Sequence, residues 1–138
     1  MVEAKLRWNG KMGFVGVSGS NHAVVMDVRP ESGGDGTAPS PMELVLMALG
    51  GCSGVDVAEI LRKKRLNVRD FQIILEGERA EDYPKVFTKV QMTFVFEGEG
   101  LTMKPLEDAV RLSLDKYCSV AGMVGKTADI QWKVEIKE

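Results

Sequence analysis

The start of an apolar helix at Ser40 is the strongest local signal in this sequence. Ser40 suits the N-cap position, Pro41 suits the first helical position, and Glu43 completes an S-x-x-E capping box. Residues 44–49 are then apolar without a polar face, which is typical of a buried helix. Because this run is shorter than the roughly 20 apolar residues that cross a bilayer, the sequence predicts the central helix of a soluble core.

Three glycines surround the first cysteine of the chain, which lies further along this helix. Gly50, Gly51 and Gly54 flank Cys52, although a glycine inside a helix costs about 1 kcal/mol relative to alanine. Either close packing against another element or room for a ligand would explain them. The helix then ends in the basic run 62–65, which is more typical of a solvated helix end than of a nucleic-acid site.

Alternation of apolar and polar residues predicts strands on both sides of this helix. Before the helix, it predicts an antiparallel meander over residues 2–8, 14–18 and 23–28, followed by an exposed loop over residues 30–39. After the helix, it predicts a hairpin, a second helix and a last strand over residues 71–78, 86–97, 104–117 and 130–137. The order βββ-α-ββ-α-β is an α+β pattern, and 138 residues are typical of a single domain, residues 1–138.

Composition and charge argue against several classes of partner. The formal charge is −2, with 18 basic and 20 acidic residues, so the chain lacks the electrostatic signature of a protein that binds nucleic acid or an anionic membrane. The N-terminal residues lack the apolar core and cleavage site of a secretory signal. We therefore expect a cytoplasmic protein with no nucleic-acid partner and no membrane partner.

Cys52 and Cys118 are the only cysteines of the chain. Two thiols can reduce a peroxide, because a sulfenic acid formed on one sulfur condenses with the other. In a reducing compartment a disulfide is more often transient and catalytic than structural, with the proteins of hyperthermophiles as an exception. The alternative is a pair of inert core residues, since free cysteine is among the most buried residue types.

Four segments of the chain carry a family signature. They are the Ser-Pro-Met-Glu-Leu lead-in from Ser40, the apolar helix ending in Gly-Gly-Cys52, the hairpin segment from Arg79 to Pro84, and Leu-Ser-Leu-Asp-Lys-Tyr-Cys118-Ser-Val. Together they resemble the OsmC/Ohr family of organic hydroperoxide reductases, and most closely its YhfA-like branch. The resemblance covers nearly the whole chain and implies an OsmC/Ohr-like fold. It also implies an intertwined homodimer, with central helices wrapped by antiparallel sheets and an active site at each subunit interface.

The resemblance further implies roles for four residues. Cys52 would attack the peroxide, and Cys118 would resolve the sulfenic acid through a disulfide. In the family, an arginine and a glutamate hold the reactive thiolate, and the best candidates here are Arg29 and Glu43. The family's own glutamate position is occupied by Met42, and the capping box is an alternative role for Glu43.

These roles predict a two-cysteine peroxidase for small organic hydroperoxides, which needs no cofactor and no metal and is recycled by an external dithiol. The sole histidine, His22, lies in a predicted turn, and its spacing from the cysteines is not that of a zinc site. A hypothesis of a different class is a non-catalytic member of the fold that binds a small apolar ligand or senses oxidants. In that case Met42 would mark the loss of catalysis.

Overall fold

The computed structural model of the chain describes residues 1–137. It divides into two compact units, one from Met1 to Val45 and one from Leu46 onward. It contains two three-stranded sheets and several helices, which confirms the predicted α+β class. The expectation of a single domain stays a prediction.

The first unit contains the predicted antiparallel meander. Its strands are β1 (Ala4–Trp8), β2 (Phe14–Ser18) and β3 (Ala23–Met26), in the order β1-β2-β3. The third strand ends two residues before the predicted boundary at Val28. There the backbone N–H of Asp27 donates to the carbonyl of Pro39 at 3.0 Å, so it bonds to the following loop and not to a strand.

The loop after β3 is organised around one buried carboxylate. Asp27 is 2% exposed and accepts hydrogen bonds from the backbone N–H groups of Val28, Asp35 and Thr37, at 2.7, 3.3 and 3.2 Å. The hydroxyl of Thr37 donates a fourth, at 2.7 Å. These hydrogen bonds lower the pKa of Asp27 to about 2, the hydroxyl of Thr37 being the largest cause. The carboxylate therefore holds the glycine-rich loop that also carries Arg29.

The first helix, α1 (Pro41–Lys63), begins where the sequence predicts. The backbone N–H of Ser40 donates to the Glu43 carboxylate at 2.9 Å, and the N–H of Glu43 donates to the Ser40 hydroxyl at 3.1 Å, so the capping box forms as expected. Burial is confined to one side of the helix. Met47 lies within the run 44–49, which was expected to be buried on all sides, and it is 51% exposed.

The length of α1 corrects a second expectation. The apolar run 44–49 continues as helix to Lys63, and this 23-residue helix is long and apolar enough to cross a membrane by length and composition alone. The sequence led us to expect an apolar run too short to cross a bilayer, and this does not hold for the whole helix. The core helix of a soluble protein meets the same criterion, so this property does not by itself assign a location.

The second unit is built on a sheet with one apolar face. Its strands are β4 (Val68–Arg79), β5 (Phe87–Gly98) and β6 (Asp129–Lys137), in the order β4-β5-β6. One side of β5 is covered: the side chains there are fully buried, at Val90, Met92, Phe94 and Phe96. The strands β4 and β5 form the predicted antiparallel hairpin, whereas β6 pairs in parallel with β5. The sheet is therefore mixed. The family resemblance implied antiparallel sheets, and this expectation is wrong for the pairing of β5 with β6.

Close packing of α1 on this sheet explains two of the three glycines around Cys52. A Cβ at Gly50 would lie 2.8 Å from the side chain of Leu75, and a Cβ at Gly54 would lie 3.2 Å from that of Ile73. Both partners lie on β4, so the helix approaches this strand through its glycines. A Cβ at Gly51 would meet no atom within 4 Å, so this glycine has no packing role in the described chain.

The second predicted helix changes its winding before it ends. It consists of α2 (Met103–Leu112), followed by a π-helical turn over Ser113–Tyr117. A short helix, α3 (Ser119–Val124), comes next. Cys118 lies between the π-helical turn and α3. π-helical turns occur frequently at functional sites.

Candidate active site

Cys52 lies in the middle of α1 and is partly exposed. It lies between Gly50 and Gly54, the two glycines through which the helix approaches β4. The next residue, Ser53, is fully buried. The helix thus presents one accessible thiol directly beside a buried hydroxyl.

Cys118 is the more enclosed of the two thiols, at 5% exposure. The π-helical turn places it, because its backbone N–H donates to the carbonyl of Ser113, five residues back, at 2.7 Å. Its Sγ accepts a hydrogen bond from the backbone N–H of Ala121 at 3.4 Å, so the side chain caps α3. Both sides of Cys118 are therefore held by the backbone of adjacent turns.

The structure brings the two cysteines together. The pKa of the Cys118 thiol is raised from its ordinary 9.0 to about 11, mainly because burial disfavours the thiolate. The N–H of Ala121 opposes this rise, whereas the nearby Cys52 thiol adds to it, as does the charge of Asp56. Cys52 is thus a direct neighbour of Cys118, and Cys118 is a neutral thiol at neutral pH.

Three polar residues beside the cysteines were not identified from the sequence. The hydroxyls of Ser53 and Ser113 lie 2.9 Å apart, and both residues are 0% exposed. The Ser113 hydroxyl also donates to the Asp56 carboxylate at 2.9 Å. By its spacing, Ser113 belongs to the apolar face of the second predicted helix. A serine at a position that faces the core was the signal in the sequence that could have pointed to this cluster.

The charged residues predicted to assist Cys52 lie in the first unit. Arg29 is largely exposed, with its guanidinium 4.0 Å from the Glu31 carboxylate. Glu43 makes the capping-box bonds with Ser40, and the Ser40 backbone N–H is the main cause that lowers the pKa of Glu43. The positive charge of Arg29 contributes to the same lowering, so Arg29 and Glu43 lie within electrostatic range of each other. Their roles toward the thiolate stay predictions.

An apolar groove lies next to the polar cluster. It has a volume of about 520 Å³ between α1 and the π-helical turn, and its lining includes Val55, Ile60, Leu112 and Tyr117, with Asp56 among its polar residues. Asp56 follows Cys52 by one helical turn, and Tyr117 directly precedes Cys118. The groove therefore borders both thiol-bearing segments.

The residues of the site are suited to thiol chemistry. Within residues 1–137, no three His, Cys, Asp or Glu side chains converge as a metal site would require. The expectation of no metal and no cofactor stays a prediction. What the described residues do offer is two neighbouring thiols, one partly exposed and one buried. A sulfenic acid formed on one sulfur can condense with a second thiol.

Comparison with known proteins agrees with this reading of the fold. The sequence is 42% identical over 135 residues to Protein YhfA of Escherichia coli, covering 98% of each chain. A solved hypothetical protein from Aquifex aeolicus is 36% identical, with a TM-score of 0.82 over 100% of this chain and 98% of that one.

A more distant solved structure shares the fold. It is the organic hydroperoxide resistance protein OsmC from Legionella pneumophila, 15% identical, with a TM-score of 0.72 over 98% of this chain and 96% of that one. The sequence pattern of the family described as OsmC-like protein matches residues 34–133. This protein therefore belongs to the OsmC-like family.

Proposed function

We propose that this protein is a two-cysteine peroxidase that reduces organic hydroperoxides. The observation that carries the proposal is the pair of neighbouring thiols in unlike surroundings, Cys52 partly exposed and Cys118 buried and protonated. Membership of a family with members named as hydroperoxide resistance proteins supports it.

In the first step, the Cys52 thiolate attacks the terminal oxygen of the hydroperoxide. The O–O bond breaks, an S–O bond forms, and the alkoxide takes up a proton and leaves as an alcohol. The sulfur is oxidised to sulfenic acid and the peroxide is reduced. The exposure of Cys52 suits it to this attack better than the enclosed Cys118. The adjacent groove, with its apolar lining, suits the organic part of the substrate.

In the second step, Cys118 resolves the sulfenic acid. The sulfur of Cys118 bonds to that of Cys52, the S–O bond breaks, and the thiol proton leaves with the hydroxide as water. An external dithiol then reduces the disulfide by exchange and returns both thiols. No cofactor takes part. Arg29 and Glu43 are the proposed charged partners of the reactive thiolate.

We also propose that the protein acts as a cytoplasmic homodimer. Large apolar side chains are exposed on the first sheet and on α1: Leu6 and Trp8 are 52% and 61% exposed, and Met47 and Val55 are 51% and 71% exposed. Exposed apolar surface of this kind is typical of an interface. Light scattering after size exclusion tests the dimer, and a monomeric mass at micromolar concentration would contradict it. Cell fractionation tests the location.

Peroxidase activity is tested by intact mass and free-thiol count after adding one equivalent of cumene hydroperoxide to the reduced protein. The wild type should lose two thiols, Cys118→Ser should form a sulfenic acid that a nucleophilic probe can trap, and Cys52→Ser should not react. Thiols that stay reduced with excess peroxide would refute the proposal. They would favour the ligand-binding alternative, in which Met42, at the family's glutamate position, marks the loss of catalysis.

A further inference from the structure

The two cysteine-bearing segments are joined by a buried chain of hydrogen bonds. Ser53 follows Cys52 on α1, and Ser113 begins the π-helical turn that ends before Cys118. Their hydroxyls lie 2.9 Å apart, and no part of either residue is exposed. Hydroxyls in such surroundings are stabilised only when their hydrogen bonds are satisfied.

The direction of these hydrogen bonds follows from the protons available. A serine hydroxyl has one proton to donate. Ser113 gives its proton to the Asp56 carboxylate at 2.9 Å, because an ionised carboxylate can only accept. The proton between the two serines must therefore come from Ser53. The chain runs from Ser53 to Ser113 to Asp56, and it ends on a charge, which makes its last bond the strongest.

Ser113 also holds Cys118 through the main chain. Its carbonyl accepts the hydrogen bond from the Cys118 N–H at 2.7 Å, which closes the π-helical turn. One residue thus bonds to the helix of Cys52 through its side chain and to Cys118 through its backbone. A displacement of Ser113 from α1 would carry the Cys118 backbone with it.

We propose that Ser53, Ser113 and Asp56 are positioning residues that hold the Cys118 segment against α1, so that Cys118 can close a disulfide with Cys52. The inference rests on the proposed use of the two cysteines, and it assigns these residues no part in the attack on the peroxide. Because Cys118 is a neutral thiol, its reactivity depends on its placement beside Cys52.

A test that needs no peroxide measures how readily the two thiols pair. The reduced protein is equilibrated with mixtures of reduced and oxidised glutathione, well below its melting temperature. A disulfide bond forms between Cys52 and Cys118, and the S–S bond of glutathione disulfide breaks. The two electrons and two protons that the cysteines lose reduce it to two glutathione molecules. Intact mass after alkylation gives the oxidised fraction, and hence the effective concentration of one thiol toward the other.

The variants separate positioning from general stability. Ser113→Ala and Asp56→Ala should lower the effective concentration by about tenfold or more, as expected for loss of a hydrogen bond to a charged group. Asp56→Asn keeps an acceptor and should fall between Asp56→Ala and the wild type. Ser119→Ala, an exposed serine next to Cys118, is the matched control and should leave the value unchanged.

An unchanged value in folded Asp56→Ala, which alters a partly exposed residue, would overturn the inference even if Ser113→Ala does not fold. An internal disulfide that does not form in the wild type at any glutathione ratio would also overturn it. Cumene hydroperoxide is applied to the same proteins in parallel. If glutathione oxidises the pair and the peroxide does not, the proposed peroxidase is refuted while the positioning result stands.

Discussion

The raised pKa of Cys118 leads to a quantitative prediction. Cys52→Ser leaves Cys118 as the sole thiol and removes the influence of Cys52, one of the lesser causes of the rise. Burial, the largest cause, remains. We therefore expect the pKa of Cys118 in this variant to lie between its ordinary 9.0 and about 11. At pH 8 the thiolate fraction is about one-tenth for a pKa of 9 and about one-thousandth for a pKa of 11, so ionisation falls by up to about a hundredfold.

The assay follows the ultraviolet absorbance of the thiolate against pH in folded Cys52→Ser. The same variant in denaturant is the control, since its exposed thiol titrates near the ordinary value. The difference spectrum against the double variant Cys52→Ser/Cys118→Ser removes the absorbance of the tyrosines. A folded-state midpoint at or below 9.0 would refute the claim that burial dominates the surroundings of Cys118.

The same pKa difference determines how stability depends on pH. The folded protein keeps the Cys118 proton to a higher pH than the unfolded chain does, so protonation favours folding. This contribution is fully present below about pH 9 and is lost as the pH rises toward 11. Cys52→Ser should therefore lose stability over this range more steeply than the double variant. Equal slopes would contradict the raised pKa.

Three further predictions concern stability and can be checked by thermal or urea unfolding. The pKa of Asp27 is about 2, below its ordinary 3.8, so its contribution to the free energy of unfolding is present above pH 4 and is lost as the pH falls toward 2. Asp27→Asn should therefore flatten the fall of stability between pH 4 and pH 2, and an unchanged slope would contradict this. Phe94→Ala removes a fully buried ring and should cost about 3–5 kcal/mol, so a loss below 1 kcal/mol would refute close packing at β5. A Cβ at Gly98 would overlap the carbonyl of Asn67, so Gly98→Ala should lower the free energy of unfolding by about 1–3 kcal/mol. A Cβ at Gly122 would meet open space, so Gly122→Ala is the control and should cause no loss of stability. Equal effects of the two substitutions would contradict the overlap.

The local elements were predictable because each depends on a few neighbouring residues. The strand β2 lies at its predicted bounds, and α1 begins at Pro41, where Ser40 and Glu43 form the predicted capping box. The strand predicted over residues 86–97 forms as β5, and burial alternates along it as the apolar and polar residues do. Periodicity and capping chemistry act over two to four residues, so these features can be read from the sequence.

The features that were not predicted depend on contacts between distant segments. Nothing local distinguishes a parallel from an antiparallel partner for β6, because alternation is the same in both. The break of the second helix at Leu112 was also missed, since residues 113–117 fit a helical pattern with either winding. Ser113 was counted with an apolar face, and its partner Ser53 is 60 residues away. The cluster of Ser53, Ser113 and Asp56 could therefore be identified only from the structure.

The cysteine motifs identified the pair, but the structure indicates why placement should matter more than ionisation for the second thiol. With a pKa of about 11, roughly one Cys118 in ten thousand is a thiolate at pH 7. A thiol so weakly ionised resolves a sulfenic acid efficiently only if it is already held next to the oxidised sulfur, where a high effective concentration compensates for the small reactive fraction. In this protein the segment that carries Cys118 is bonded through Ser113 to the helix of Cys52. The surroundings that keep Cys118 protonated and the hydrogen bonds that hold its segment are therefore complementary, since a neutral resolving thiol requires a fixed position.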